Sequence, residues 1–178
     1  SGAALQIAGP NGSGKTSLLR ILVGLVMPSA GEVLWKGQTI DSRHSMLEHD
    51  LCYFGYAGGV KLELSPRENL AFMRALHRFK PDADIDGTLK RVGLYGFEDV
   101  PAFTLSAGQR RRVSLARLLV TAAPLWVLDE PLTALDSEGT EFVESLLADH
   151  VSNGGVLVFT THQPLSRAPG ASAVLELG

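Results

Sequence analysis

Among its 178 residues the chain has one cysteine, so no disulfide within the chain can staple it. That fits a reducing compartment. Cys52 lies in the apolar stretch Leu51-Cys52-Tyr53-Phe54 and reads as a buried core thiol rather than a reactive one. No apolar run approaches the roughly 18–20 residues that a membrane-crossing helix needs. No secretory leader is visible at the start of the sequence as given. Charge of one sign is not in excess either. Sixteen Lys and Arg face 19 Asp and Glu, and the net charge of −3 supplies no electrostatic ground for nucleic-acid binding. There is no internal repeat and no low-complexity segment. What remains is 45% apolar and long enough for one globular domain with a substantial core.

Several short apolar runs read as buried strands of a parallel sheet: Leu5–Ala8, Leu51–Gly55, Leu125–Leu128, Val156–Thr160 and Ala173–Leu177. Helical patterns separate most of them, which predicts an α/β layer fold with a mostly parallel sheet flanked by helices. Gly31–Gln38 reads as a small hairpin with a Lys-Gly turn. Ser65-Pro66-Arg67-Glu68 is a capping box with proline at the first helical position, and it predicts a helix to about His77. Residues 60–104 hold no convincing strand. They read as a helical subdomain inserted into a single domain spanning 1–178.

The densest signal is Gly9-Pro10-Asn11-Gly12-Ser13-Gly14-Lys15-Thr16, followed by Ser17. A short apolar strand precedes it and a helix from Lys15 to about Leu25 follows. Glycines let the backbone curl so that several N–H groups face one hollow, and the helix adds its positive N-terminal end. Lys15 is placed to reach the β- and γ-phosphates, and the Thr16 hydroxyl to take one site on Mg²⁺.

Two further strand ends belong to the same chemistry. Leu125–Leu128 stops abruptly at Asp129-Glu130-Pro131. In a parallel sheet, ligands gather at the carboxyl ends of the strands, so both carboxylates are expected beside the glycine loop. Asp129 is then a second anchor for Mg²⁺, and Glu130 is free to orient or deprotonate an attacking water. Val156–Phe159 leads into Thr160-Thr161-His162, which puts a histidine on the same edge, able to hydrogen-bond the γ-phosphate or the water. Ser106-Ala107-Gly108-Gln109 precedes a helical pattern over Arg110–Val120, where serine is a good N-cap and small residues can admit an anion. Arg110, Arg111 and Arg112 read by default as a solvated helix face.

Together these motifs resemble the ATP-binding cassette ATPase family over nearly the whole chain. Gly9–Thr16 matches the phosphate loop. Leu105–Gln109 matches the family signature, with Ala107 where glycine is more usual. Leu125–Glu130 matches the second Walker motif, Ala134-Leu135-Asp136 the loop that crosses the dimer interface, and His162 the switch histidine. The spacings agree: 23 residues from Ser106 to Asp129 and 33 from Asp129 to His162. A narrower resemblance is carried by Gly31–Trp35, Gly59-Val60-Lys61, Glu68-Asn69-Leu70, Gly96–Asp99 and Thr161–Leu165. These look like the ATP-binding subunits of bacterial haem exporters used in cytochrome c maturation.

The resemblance implies a P-loop fold and ATP·Mg²⁺ as ligand. It also implies a second ATPase subunit paired head to tail, so that each site takes Lys15, Thr16, Asp129, Glu130 and His162 from one chain and Ser106–Gln109 from the other. Integral membrane transporter subunits would complete the assembly at the cytoplasmic face of the bacterial inner membrane. Soluble cassette ATPases of translation or DNA repair, and a weakly hydrolysing regulatory nucleotide-binding module, are the alternatives. Two departures stand out. Ala57 occupies the position of a glutamine that the family uses near the Mg²⁺ and the water, which predicts weakened hydrolysis. Only eight residues precede Gly9, whereas the family carries a further strand pair with an adenine-stacking aromatic, so N-terminal strands are expected to be missing.

Overall fold

The computed structural model describes residues 2–40, 49–55, 58–76, 79–167, 169–170 and 172–178. Ala57, with Tyr56, lies outside the described residues, as does His77 at the expected end of the Ser65-capped helix.

Five strands form one parallel sheet in the order β4-β5-β6-β1-β7: β1 (Ala3–Ala8), β4 (Leu51–Phe54), β5 (Leu125–Leu128), β6 (Val156–Thr160) and β7 (Ser172–Glu176). A small antiparallel ribbon, β2 (Leu34–Trp35) and β3 (Gln38–Thr39), closes on Lys36-Gly37. Both turn residues have positive φ, 51° and 79°, the backbone that a tight hairpin requires. β5 is buried along its whole length, as expected of an interior parallel strand covered on both faces. β7 departs from the expectation of burial. It lies at the sheet edge, with a strand on one side only, and all its residues are exposed, Val174 and Leu175 among them.

Among the described residues the bounded helices are α1 (Lys15–Leu22), α2 (Pro66–Leu76), α3 (Ile85–Arg91), α4 (Ala107–Val120) and α5 (Ser137–Ser152), with a 3₁₀ turn over Ala102–Thr104. The expected capping box opens α2: the Glu68 carboxylate accepts from the Ser65 N–H at 2.8 Å, and the Ser65 hydroxyl accepts from the Glu68 N–H at 3.2 Å. α1 is shorter than the pattern suggests. Gly24, at φ 75°, turns the chain out of the helix just after Leu22.

Three apolar clusters hold these layers. One packs α4 and α5 against the sheet through Phe54, Leu115, Leu118, Leu128, Leu147 and Phe159. A second packs α1 on the other side through Ile7, Leu19, Val23 and Val127. The third joins α2 and α3 to α4 through Leu70, Leu89, Leu94, Val113 and Val120. α4 serves both the first and the third cluster, so the helical segment and the sheet share one helix. Cys52 is buried in the first cluster, and burial pushes its thiol pKa up, away from reactivity.

Candidate active site

Because the sheet is parallel, β1, β4, β5 and β6 end on one edge. The segments that follow β1, β5 and β6 are Gly9–Gly14, Asp129-Glu130 and Thr161-His162. They line one cavity with Asn11, Gly12, Gly14, Lys15, Thr16, Ser17, Asp129, Glu130, Thr133, His162 and Gln163 on its walls.

The glycine loop is built as its residue types demand. Gly14 takes φ 96° and ψ 8° as N-cap of α1, a left-handed conformation that a side chain would strain. At Gly9 the limit is space: a Cβ would come within 2.5 Å of the Leu177 carbonyl oxygen and 2.7 Å of Ser13 Oγ. Lys15, the first helical residue, is buried and folds back on its own loop. Its Nζ donates to the carbonyls of Gly9 (2.7 Å) and Pro10 (2.9 Å). A buried ammonium whose partners among the described residues are neutral carbonyls suits a site that receives an anion. Ser13 Oγ adds a buried hydroxyl with no hydrogen-bond partner among the described residues.

Asp129 is 2% exposed and joins two walls. Its Oδ2 accepts from the Thr16 hydroxyl at 2.8 Å, and its Oδ1 from the Thr160 hydroxyl at 2.8 Å. Thr16 and Asp129 thus present hard oxygen donors side by side, the ligand type that Mg²⁺ prefers. Thr160 in turn accepts from the Glu130 N–H at 2.9 Å. Glu130 has φ 52°, unusual for a side-chain-bearing residue and more so before proline. Its backbone is held at both ends, by Thr160 on the N–H and by the Arg111 guanidinium, which donates to its carbonyl. The carboxylate faces the histidine. Oε1 stands 3.3 Å from His162 Nε2, an ion-pair distance when the imidazole is protonated, without hydrogen-bond geometry. Oε2 accepts from the His162 N–H at 3.3 Å and the Thr133 hydroxyl at 3.4 Å.

The signature segment stands apart. Ser106 caps α4 in a complete capping box: its Oγ accepts from the Gln109 N–H at 3.1 Å, and the Gln109 amide oxygen accepts from the Ser106 N–H at 2.9 Å. Ser106 and Ala107 are exposed, and none of residues 106–109 lines the cavity. The three arginines that follow do not form a free solvated face, which corrects the default reading. Each is half-buried. Arg110 donates to the Leu105 carbonyl, Arg111 to Glu130 while lying 4.3 Å over the Phe54 ring, and Arg112 to the Val92 carbonyl and Asp136. The three guanidinium groups fan out to three different segments, taken up by the carbonyls of Leu105, Glu130 and Val92 and, for Arg112, also by the Asp136 carboxylate. Asp136 caps α5, accepting from the Gly139 N–H at 2.8 Å.

A family model described as ABC transporter matches residues 1–133, three quarters of the chain. The chain belongs to the ABC transporter family. With membership come the ATP-binding cassette fold and ATP hydrolysis as the family's activity. This ABC ATPase is 51% identical over 178 residues to the cytochrome c biogenesis ATP-binding export protein CcmA of Pseudomonas fluorescens (strain Pf0-1), covering all of this chain and 84% of that protein. The protein of the same name from Methylococcus capsulatus is 52% identical over 165 residues, 92% of this chain and 80% of that one. Among solved structures, a dimeric ATP-binding cassette in a post-hydrolysis state bound to ADP and Pi matches with a TM-score of 0.75 at 25% identity, over 91% of this chain and 75% of that one. A dimeric bacterial ABC transporter cassette matches at 0.80 and 23% identity, over 99% and 82%, and shows the fold.

Sequence reasoning missed Thr160, Thr133 and Arg111. Thr160 was within sight, since it ends β6 one residue before Thr161-His162, but nothing in its type distinguishes a bridging hydroxyl from an ordinary strand threonine. Arg111 has no local signal, because it sits on α4 and its partner lies 19 residues away, just past the end of β5.

Proposed function

We propose that this ABC ATPase is the nucleotide-hydrolysing subunit of a transporter serving cytochrome c biogenesis, with haem export as the process it powers. The observation that carries the site reading is the meeting of Lys15, Thr16, Asp129, Glu130 and His162 around one cavity. The relatives' printed function and the half-identity over the full chain support the subfamily.

In this reading the loop N–H groups, the α1 N-terminus and Lys15 bind the ATP phosphates. Lys15 exchanges its two carbonyl partners for phosphate oxygens. Thr16 and Asp129 hold Mg²⁺, which supplies charge neutralisation on the phosphates when bound. Glu130 orients a water and accepts its proton as the water oxygen attacks the γ-phosphorus. The bond from that phosphorus to the β–γ bridging oxygen breaks, and ADP and inorganic phosphate leave. His162 steadies the γ-phosphate and the Glu130 carboxylate together. Ser106–Gln109, outside the cavity and exposed at Ser106 and Ala107, would complete the partner subunit's site, with its capped helix N-terminus aimed at the partner's ATP. Residues 60–104 act as a helical subdomain that carries the nucleotide state to membrane subunits. Leu62 and Phe103, joined by a backbone hydrogen bond of 2.9 Å, and Phe72 beneath Lys61 give it exposed apolar surface for a protein partner. No helix among the described residues is long and apolar enough to cross a membrane. The resemblance to the cytochrome c biogenesis export proteins would place the chain at the cytoplasmic face of the inner membrane, held there by those subunits.

The shared site is tested by mixing. Lys15→Ala and Ser106→Arg chains are each expected to be inactive alone. Mixed, they form dimers in which one site has an intact Lys15 and an intact Ser106, and ATP hydrolysis returns to a fraction of the unmodified rate. No recovery on mixing would refute the head-to-tail assignment. Purification of the full-length protein with its membrane subunits, with haem present in the complex, tests the transport reading.

A further inference from the structure

α5 carries a carboxylate that the site described above does not use. Glu144 sits in the middle of the helix and is 2% exposed. A charge taken out of water needs close partners, and replacing such a group with an apolar side chain of similar size often costs a fold nothing. Its presence therefore calls for a reason other than packing. The partners are specific. Both carboxylate oxygens accept from one residue, Ser166: Oε1 from its backbone N–H at 2.9 Å, and Oε2 from its hydroxyl.

Ser166 lies four residues past His162, in the segment that leaves β6. This segment has little regular structure to hold it. A turn closes on Thr161, whose hydroxyl accepts from the Gln163 N–H at 3.1 Å and donates to the Gln163 carbonyl at 3.2 Å. Leu165 packs against the main core. Beyond these, the Glu144–Ser166 pair ties the segment to a rigid helix. His162 itself is half exposed, and among the described residues its polar contacts are the two to Glu130.

We propose that Glu144 is a positioning residue for His162, anchoring the far end of the histidine segment through Ser166 so that the imidazole stays against Glu130. This rests on the reading of His162 as a member of the hydrolytic site. Misplacing a catalytic group by about 1 Å can cost on the order of a hundredfold in rate, so a tether at this distance has leverage.

The test is a double-mutant cycle on steady-state ATP turnover by the full-length protein, with melting temperature followed in parallel. Glu144→Met is expected to lower kcat about tenfold or more, with KM for ATP within about twofold and the melting temperature unchanged or raised. In the His162→Ala background the same change is expected to leave the residual rate unaltered. Glu144→Gln, which keeps an acceptor, should recover part of the loss. Ser166→Ala, at an exposed position and safe for folding, should give a smaller loss that also disappears in the His162→Ala background. Equal losses in both backgrounds, or an unchanged kcat in the folded Ser166→Ala and Glu144→Met proteins, would overturn the assignment while leaving His162 in place. An unimpaired His162→Ala protein would instead remove the reading beneath it.

Discussion

The phosphate-loop edge and the N-terminal end of α4 carry motifs of equal density, yet they are built in opposite ways. At the edge, the polar side chains look outward from themselves. Among the described residues, Lys15 is held by loop carbonyls and Ser13 Oγ is buried without a partner, while Asp129 and Glu130 bridge from one strand end to the next. At α4, Ser106 and Gln109 satisfy each other reciprocally, with Ser106 exposed and Gln109 half-buried. The first region is assembled by tertiary structure and left incomplete. The second is complete on its own and assembled by four consecutive residues. A pocket with unmet hydrogen-bonding capacity awaits a ligand, whereas a self-satisfied, exposed helix cap is a surface that a partner can use without reorganisation.

Breaking the first region should have the largest effect. Glu130→Gln is expected to reduce ATP turnover by about a hundredfold or more while nucleotide binding persists, measured as phosphate release beside nucleotide retention. Retained turnover would mean that the strained residue after Asp129 does not serve the water.

Next comes the bridge between strand ends. Thr160→Val removes the hydroxyl shared by Asp129 and the Glu130 N–H, and should lower both turnover and stability, the latter by about 1–3 kcal/mol in chemical denaturation. A stable variant with full activity would show that the bridge is incidental.

A smaller effect belongs to α4. Ser106→Ala should cost about 1 kcal/mol through the lost cap. In a mixed-subunit assay it should also slow the partner's site more than its own, which sharpens the contrast between the regions.

The smallest lies at the opposite edge of the sheet. His150 stacks on Trp126, with ring centroids 3.9 Å apart, and contacts the Val156 carbonyl at 3.2 Å. Burial, against the opposing pull of hydrogen bonds to Val156 and Pro124, holds its pKa below the ordinary histidine value. Between the lowered folded value and the unfolded value of about 6.5, the unfolded chain binds more protons. The stability contributed is therefore present above about pH 6.5 and is lost as pH falls through the folded pKa. His150→Phe keeps a ring against Trp126 and removes the titration. Its melting temperature should decline less steeply than that of the unmodified protein as pH is lowered from about 7 to about 5.5. Parallel declines would assign the acid sensitivity elsewhere.

Much of this is legible in the sequence. The parallel strands of the core, the hairpin turn at Lys36-Gly37, the capping box at Ser65 and the N-cap at Ser106 follow from patterns within a few residues. So do the glycine loop and the polar strand ends, since each depends on local backbone preference or on where an apolar run stops. β7 was misjudged as buried because an apolar run does not say which strand lies at an edge. The arginines after Gln109 were misjudged because a run of charges looks solvated until the carbonyls opposite it are known.

By itself, then, the sequence determined the chemistry available: a loop whose glycines permit N–H groups to converge, a lysine and threonine at its end, and carboxylates and a histidine where strands must stop. Those are properties of residue type and short spacing. Only the tertiary structure decided what those groups do to each other. It placed Thr160 between Asp129 and Glu130, Arg111 on the Glu130 carbonyl, and Glu144 on Ser166, contacts spanning 19 to 31 residues. Such pairings depend on strand order and helix packing, which set distances between residues remote in sequence, and no local pattern encodes them.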